Sequence, residues 1–222
     1  MNADNALNRR AQAFERVGLG LATLMLLGSL YMSIGMGLKA CPLCLYERSL
    51  VLAVVGVLGL GVVLRIDGNS AFRSPGTLSL LCLPLAFGGL VLAGFHVYLD
   101  RSGVLDCPDG VLGIGHAPDQ SLAGYVLLSG LLTIAALNGR FKTNKSYLHG
   151  LGAAALGLVF AVASVKSAPP LPPPNPKYDA QGSRVLDGCE PAPTPGFQKP
   201  GDAGQGKHPD VQETPTTSSD GS

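Results

Sequence analysis

The chain has 222 residues, 46% of them hydrophobic and only 14% charged, with a formal net charge of +1 and a mean hydropathy of +0.30. Ordinary globular proteins carry roughly 25% charged residues, and here the apolar residues fall in long blocks with the charges between them. That pattern excludes a mainly disordered chain, a nucleic-acid binder and a soluble enzyme domain, and predicts an all-α, polytopic membrane helix bundle.

A hydrocarbon core of about 30 Å takes roughly 20 apolar residues in a helix. Five segments approach or meet that length: Val17–Leu38, Leu45–Leu64, Gly76–Leu99, Ser121–Asn138 and Tyr147–Val165. The last two are the shortest and the richest in Gly and Ala, a composition that suits close helix packing or weakens the tendency to span. The first is too long for the apolar region of a signal peptide. No small-x-small cleavage pattern follows it around Gly37-Leu38-Lys39, so a retained signal anchor is expected.

Basic residues set the expected orientation. Arg9, Arg10 and Arg16 precede the first segment, Arg65 and Arg73 follow the second, and Arg140, Lys142 and Lys145 follow the fourth. With five spans these share one side, leaving Lys39, Arg48 and Arg101 on the other. The N-terminus is then inside and the C-terminus outside. From about Ser167 the composition changes: 12 of the 17 prolines lie there, including the run from Pro169 to Pro174 broken only by Leu171. Such a segment favours extended polyproline or disorder and builds no packed core. The expected division is therefore a membrane bundle over residues 1–166 and a disordered tail over 167–222 that carries Cys189.

The chemistry concentrates at Cys41-Pro42-Leu43-Cys44, at the outer start of the second segment. In a helix the two cysteines share a face. The partial positive charge of a helix N-terminus favours thiolate at the first of them. Pro42 suits the first helical position, where no N–H partner is lost. Arg48 falls on the same stripe, four residues after Cys44, and so places a cation beside a thiolate; an interfacial arginine reaching for lipid phosphates is the other reading. Glu47 is a candidate ion-pair partner for Arg48.

A lone CxxC leaves a redox dithiol and a metal site both open, with structural coincidence a third reading. Zinc wants two further ligands at short spacing, and the other cysteines and histidines are distant in sequence. Cys82, inside the third segment, reads as a small apolar core residue. Cys107, between Asp106 and Pro108 with Asp109 beyond, sits in a polar outer loop and is expected to be more exposed than the CxxC. Cys189 lies in the tail. With five spans both are outside, where disulfides persist. His96, near the outer end of the third segment, is either a functional ionisable group or an interfacial anchor beside Tyr98. His116, His149 and His208 show no ligand spacing.

The run Cys41-Pro42-Leu43-Cys44-Leu45-Tyr46-Glu47-Arg48 resembles the signature of the disulfide bond formation protein B (DsbB) family, and the resemblance extends over roughly residues 10 to 110. It implies a four-helix core in the bacterial inner membrane, here with a fifth span added. It implies an oxidoreductase in which a DsbA-like periplasmic thioredoxin-fold protein delivers electrons to an outer cysteine pair, which reduces the CxxC, which in turn reduces membrane quinone, either ubiquinone or menaquinone. By resemblance Cys44 meets the quinone, Cys41 is its partner, Arg48 stabilises the charge, and Cys107 is attacked by the partner protein; His96, from its place near the outer end of the third segment, is a further candidate for the cofactor site. The family keeps its second cysteine pair in one loop. Here the sequence departs from that pattern: the next cysteine after Cys107 is Cys189, beyond a fifth apolar segment, and either Cys189 takes the second-pair role on a flexible tether or the protein runs a variant relay. The tether has the reach: about 20 residues of polyproline extend roughly 3.1 Å each. A membrane metal-binding or metal-transfer protein using Cys41 and Cys44 is the alternative function.

Overall fold

The computed structural model describes residues 3–66, 76–111, 113, 115–139, 146–167, 177–178 and 184–192. Arg73, Arg140, Lys142, Lys145, His208 and the proline run 169–174 lie outside the described residues. In chain order the elements are α1 (Ala3–Ile34), α2 (Pro42–Ile66), α3 (Thr77–Arg101), β1 (Leu105–Asp106), α4 (Ala117–Gly139), α5 (Ser146–Ser167), β2 (Lys177–Tyr178), β3 (Arg184–Val185) and β4 (Glu190–Pro191).

All five apolar segments are helical, and their ends differ from the apolar boundaries. α1 starts at Ala3, well before the expected Val17, and stops at Ile34 rather than Leu38. Hydropathy marks the part of a helix that meets lipid, whereas backbone hydrogen bonding continues into polar flanks. The chain turns just after α1, where Gly37 takes φ 68°, a left-handed conformation that only glycine adopts freely. Among the described residues, four helical stretches, Leu7–Ile34, Pro42–Val63, Thr77–Arg101 and Ala117–Asn138, are long and apolar enough to cross a membrane. The chain is thus a multi-pass membrane protein. α5 has 22 residues, about 33 Å at 1.5 Å per residue, and its part from Ala155 to Ser167 is apolar. Leu24, Leu60, Leu81 and Val159 project outward from α1, α2, α3 and α5, the apolar exterior that a bilayer solvates and water would not.

α3 lies at the centre, packed against α2, α4 and α5, while α1 closes the ring by packing on α2 and α4. The result is a four-helix core with α5 added on the outside of α3. The core is Leu- and Ala-rich, with Ala22, Val54, Leu58, Leu78, Ala86 and Leu128 among its buried members. Glu15 is also buried. Its carboxylate accepts the Gly76 N–H at 3.0 Å and the Ser79 hydroxyl at 3.3 Å, so α1 caps the start of α3. α5 approaches α3 closely because Gly157 has no side chain. A Cβ there would stand 2.7 Å from the Pro84 carbonyl oxygen and 2.9 Å from the Gly88 nitrogen, both backbone atoms. Further along α5, Ala161 and Val165 join the cluster containing Leu92, Phe95 and Leu99 of α3. The two helices therefore run the same way, and α5 ends where α3 ends.

That direction brings the segment after α5 back to the loops after α1 and α3. β4 pairs antiparallel with β1, Leu105 opposite Pro191 and Asp106 opposite Glu190. Gly188 bridges Lys39 in parallel, the Lys39 N–H donates to the Asp187 carbonyl at 2.5 Å, and the Ala192 N–H donates to Val104 at 3.1 Å. The compact unit accordingly runs from Met1 to Ala192, with Pro193–Ser222 as a second unit outside the described residues. This differs from the expected boundary at residue 167. Residues 186–192 form a strap across the bundle end because their backbone groups find partners in two loops.

Candidate redox site

α2 opens at Pro42, which leaves Cys41 at the position that caps the helix. The Cys41 carbonyl accepts the Leu45 N–H at 3.1 Å, and its Sγ accepts the Cys44 N–H at 3.3 Å. A sulfur thus does what a serine or aspartate oxygen does at other helix starts. The two sulfurs of the CxxC lie 2.9 Å apart in a hydrogen bond, both as free thiols. The Cys41 thiol is pushed down to about 5, mainly by the hydrogen bond from Cys44, with His96 adding to it against the opposing effect of burial.

Cys107 and Cys189 are joined in a disulfide across 82 residues of chain. Cys107 is only 4% exposed and Cys189 9%, against 6% for Cys41. The expectation that Cys107 would be more exposed than the CxxC is therefore corrected: the strap and the loop after α3 cover it. The Cys107 N–H donates to Asp100 Oδ1 at 3.2 Å, and Asp100 Oδ2 lies 2.7 Å from His116 Nδ1. The Asp100 carboxylate raises the His116 pKa, favouring the ion pair that holds this loop.

The two pairs meet at His96, which is 1% exposed. Its Nε2 lies 3.4 Å from Cys189 Sγ, 3.5 Å from Cys107 Sγ and 3.8 Å from Cys41 Sγ. Its Nδ1 lies 3.1 Å from Glu47 Oε1. The reading of His96 as an interfacial anchor is thereby set aside, since its ring is buried among sulfurs. The pairing of Glu47 with Arg48 is also corrected. Glu47 points to α3 and α4, where Ser121 donates to its Oε2 at 2.5 Å and Tyr125 donates to its backbone carbonyl at 2.6 Å. Arg48 turns the other way, to α1: its Nε donates to Ser29 Oγ at 3.0 Å, and its Nη2 donates to the Ser29 carbonyl at 3.0 Å and to Ser33 Oγ at 2.6 Å. Neighbours on a helix point about 100° apart, which is why Glu47 and Arg48 serve different partners.

Arg48, Glu47, His96 and Cys44 border a cavity of about 500 Å³ whose walls are otherwise mostly apolar, with Leu21, Leu24 and Met25 from α1 among them. Cys44 lines it and Cys41 does not. Cys82 is fully buried in the core of α3, away from both pairs. The ligand atoms of Cys41, Cys44, His96 and Cys189 lie within 4.8 Å of one another, a donor set of the type zinc accepts. The Cys189 sulfur is bonded to Cys107, however, which leaves two thiols and one imidazole for a metal. Sequence reasoning missed Ser29, Ser33, Ser121, Tyr125 and Asp100. A signal was present for the first four: Ser29 with Ser33, and Ser121 with Tyr125, are polar pairs four residues apart on otherwise apolar helices.

Residues 12–113 match the family model described as Disulfide bond formation protein DsbB. Over 113 residues the chain is 33% identical to Disulfide bond formation protein B 1 of Pseudomonas putida, an alignment covering 48% of this chain and 61% of that protein. The chain thus spans less than two thirds of the curated relative it matches. No solved structure matches the chain. The matched region contains α2, both free cysteines of the CxxC, Glu47, Arg48, His96 and Cys107, and stops short of α4, α5 and Cys189. Over residues 12–113, which hold the CxxC, the chain is similar to the disulfide bond formation protein DsbB family.

Proposed function

We propose that this protein is a membrane disulfide oxidoreductase. It reoxidises a DsbA-type periplasmic protein of thioredoxin fold and passes the electrons through Cys41 and Cys44 to membrane quinone, ubiquinone or menaquinone. The observation that carries this reading is the meeting of an oxidised pair, Cys107–Cys189, and a reduced pair, Cys41 and Cys44, on one imidazole beside a cavity that Cys44 enters. In this reading the end of the bundle bearing the cysteines faces the periplasm of a bacterial inner membrane, with the N-terminus cytoplasmic. That orientation is supported by Arg9, Arg10 and Arg16 at the other end.

The cavity suits a quinone ring. Its volume is about 500 Å³, its walls are largely apolar, and its polar groups are few and convergent. When bound, a quinone accepts the two electrons and two protons that leave as the dithiol becomes a disulfide. The chain's own residues prepare that transfer. Ser29 and Ser33 hold the Arg48 guanidinium by three hydrogen bonds, so a fixed cation borders the cavity that Cys44 enters and favours negative charge there. Met25 and Leu21 line the same space with apolar surface. On the outer side, the partner's thiolate attacks Cys107 and Cys189 leaves. Because both sulfurs are buried, that attack requires the strap at residues 186–192 to move aside.

The test is anaerobic mixing of the purified protein with a reduced thioredoxin-like dithiol and quinone, following quinol formation. Arg48→Ala should raise the quinone KM by roughly tenfold to a hundredfold, the worth of a hydrogen bond to a charged group, with Arg48→Lys in between because the charge survives and the planar fork does not. Absence of quinol with both the partner dithiol and a small dithiol overturns the proposal.

A further inference from the structure

His96 belongs to neither cysteine pair, yet one of its nitrogens reaches both. Nε2 lies within 3.8 Å of Cys41 Sγ and within 3.5 Å of the sulfurs of Cys107 and Cys189. Behind it Nδ1 meets the Glu47 carboxylate, whose other oxygen accepts from the Ser121 hydroxyl, while the Tyr125 hydroxyl donates to the Glu47 main-chain carbonyl. A carboxylate on Nδ1 fixes the tautomer with the proton on Nδ1, so that Nε2 is free to accept. A histidine buried only for structure would aim its second nitrogen at a backbone or hydroxyl group; this one aims it at three sulfurs. The ring is 1% exposed, and so bulk water is poorly placed to trade protons with it.

Thiol–disulfide exchange needs a thiolate to attack and releases a thiolate in turn. In a buried site each of these charges is costly unless a partner takes up or returns the proton. Resting on the oxidoreductase reading above, we propose that His96, oriented by Glu47, carries protons between the two cysteine pairs as electrons cross from Cys107 and Cys189 to Cys41 and Cys44. The exchange begins with Cys107 and Cys189 as thiols and Cys41–Cys44 as a disulfide. Cys189 gives its proton to Nε2 and its sulfur bonds to Cys41. The Cys41–Cys44 bond breaks, and the proton passes to the departing Cys44 sulfur. Cys107 then gives its proton to Nε2 and its sulfur bonds to Cys189. The Cys189–Cys41 bond breaks, Cys41 leaves as the thiolate that the Cys44 hydrogen bond favours, and the proton stays on Nε2. Two electrons and two protons have moved, one proton to Cys44 and one to His96, and one disulfide has replaced another. The structure corresponds to the end of this sequence. His96 is the catalytic residue of the step and Glu47 its positioning residue.

The groups that set the ionisation of His96 come from every element around it. Cys41, Cys44 and Glu47 come from the head of α2, Cys107 from the loop after α3, and Cys189 from the strap. Arg48 lines the same cavity but is drawn to α1 by Ser29 and Ser33. Tyr125 reaches Glu47 from α4, and Asp100, one turn beyond His96 on α3, holds the Cys107 N–H.

The test follows the internal exchange by itself. Fully oxidised full-length protein is mixed with one equivalent of a reduced thioredoxin-like dithiol protein. It is then acid-quenched at intervals and alkylated, and mass mapping shows which pair carries the thiols. In His96→Gln the transfer from Cys107/Cys189 to Cys41/Cys44 should slow by about a hundredfold at pH 6, in the range of general acid–base catalysis. Its rate should then climb by about tenfold per pH unit as thiolates form unaided. Glu47→Gln should fall between His96→Gln and wild type, with the same steepening. Parallel pH profiles in wild type and variants overturn the relay while leaving the oxidoreductase reading in place. No transfer between the pairs in wild type overturns both. The wild-type rate in heavy water needs no variant to fold: slowing of the internal step is expected, and equal rates in the two solvents overturn the relay.

Discussion

Cys41 joins two roles that are normally separate, helix cap and reactive group. Its sulfur takes the Cys44 N–H at the first turn of α2, where the partial charge of the helix end and the neighbouring thiol both favour the anion. The thiol is accordingly lowered from an ordinary value of 9.0 to about 5, with the Cys44 hydrogen bond first among the causes. A depressed value stabilises the folded state fully above the unfolded value of 9.0, and that contribution drains away as the pH falls to about 5. With Cys107–Cys189 kept oxidised, the ultraviolet absorbance of thiolate should titrate with a midpoint near 5, and the reduced CxxC protein should lose thermal stability from pH 9 towards pH 5. A midpoint near 9 would show that neither the helix end nor its neighbours hold the anion.

At the level of elements, α5 and the strap supply the partner for Cys107. Direction is decisive. Gly157 seats α5 against Pro84 and Gly88, α5 runs with α3, and the chain emerges at the cysteine end. The strap is then fixed by backbone pairing to β1 and Lys39. Gly188 is the tightest point, because a Cβ there would collide with the Lys39 carbonyl. Gly188→Val should lift the strap from Lys39 at a cost of about 1–3 kcal/mol, typical of overpacking. It should also lower the fraction of Cys107–Cys189 disulfide recovered from the oxidised protein. Non-reducing mass analysis reads that fraction directly, and an unchanged fraction would show that the strap closes without this contact.

For the whole molecule, the flanking basic residues set which end faces which compartment. The cysteine end gathers the C-terminal ends of α1, α3 and α5 and the N-terminal ends of α2 and α4, so α1 begins and α5 ends at opposite ends of the bundle. The N-terminal arginines then predict a cytoplasmic N-terminus and a periplasmic Cys189. After mild reduction of intact spheroplasts, a membrane-impermeant thiol reagent should label Cys189. Labelling that appears only after lysis would remove the five-crossing arrangement and with it the periplasmic placement of the site.

Much of this was legible in the sequence, and the limit falls where local rules end. Apolar block length locates a helix whether or not its neighbours are known, and so all five helices were readable within a few residues except at the polar start of α1. The CxxC with Pro42 and Arg48 was readable for the same reason, since helix start, dipole and stripe depend on residues close in sequence. The identity of contacts between helices was not. Glu47 and Arg48 are adjacent and opposite in charge, yet α4 and α3 claim one and α1 the other. The burial of Cys107 depends on a strap 82 residues away. His96 became the meeting point of both cysteine pairs only when α3, the head of α2 and the strap were brought together. Periodicity and capping act within a few residues of chain, whereas a buried hydrogen bond or a backbone-to-backbone fit at Gly157 or Gly188 forms between segments whose register the packed structure alone sets.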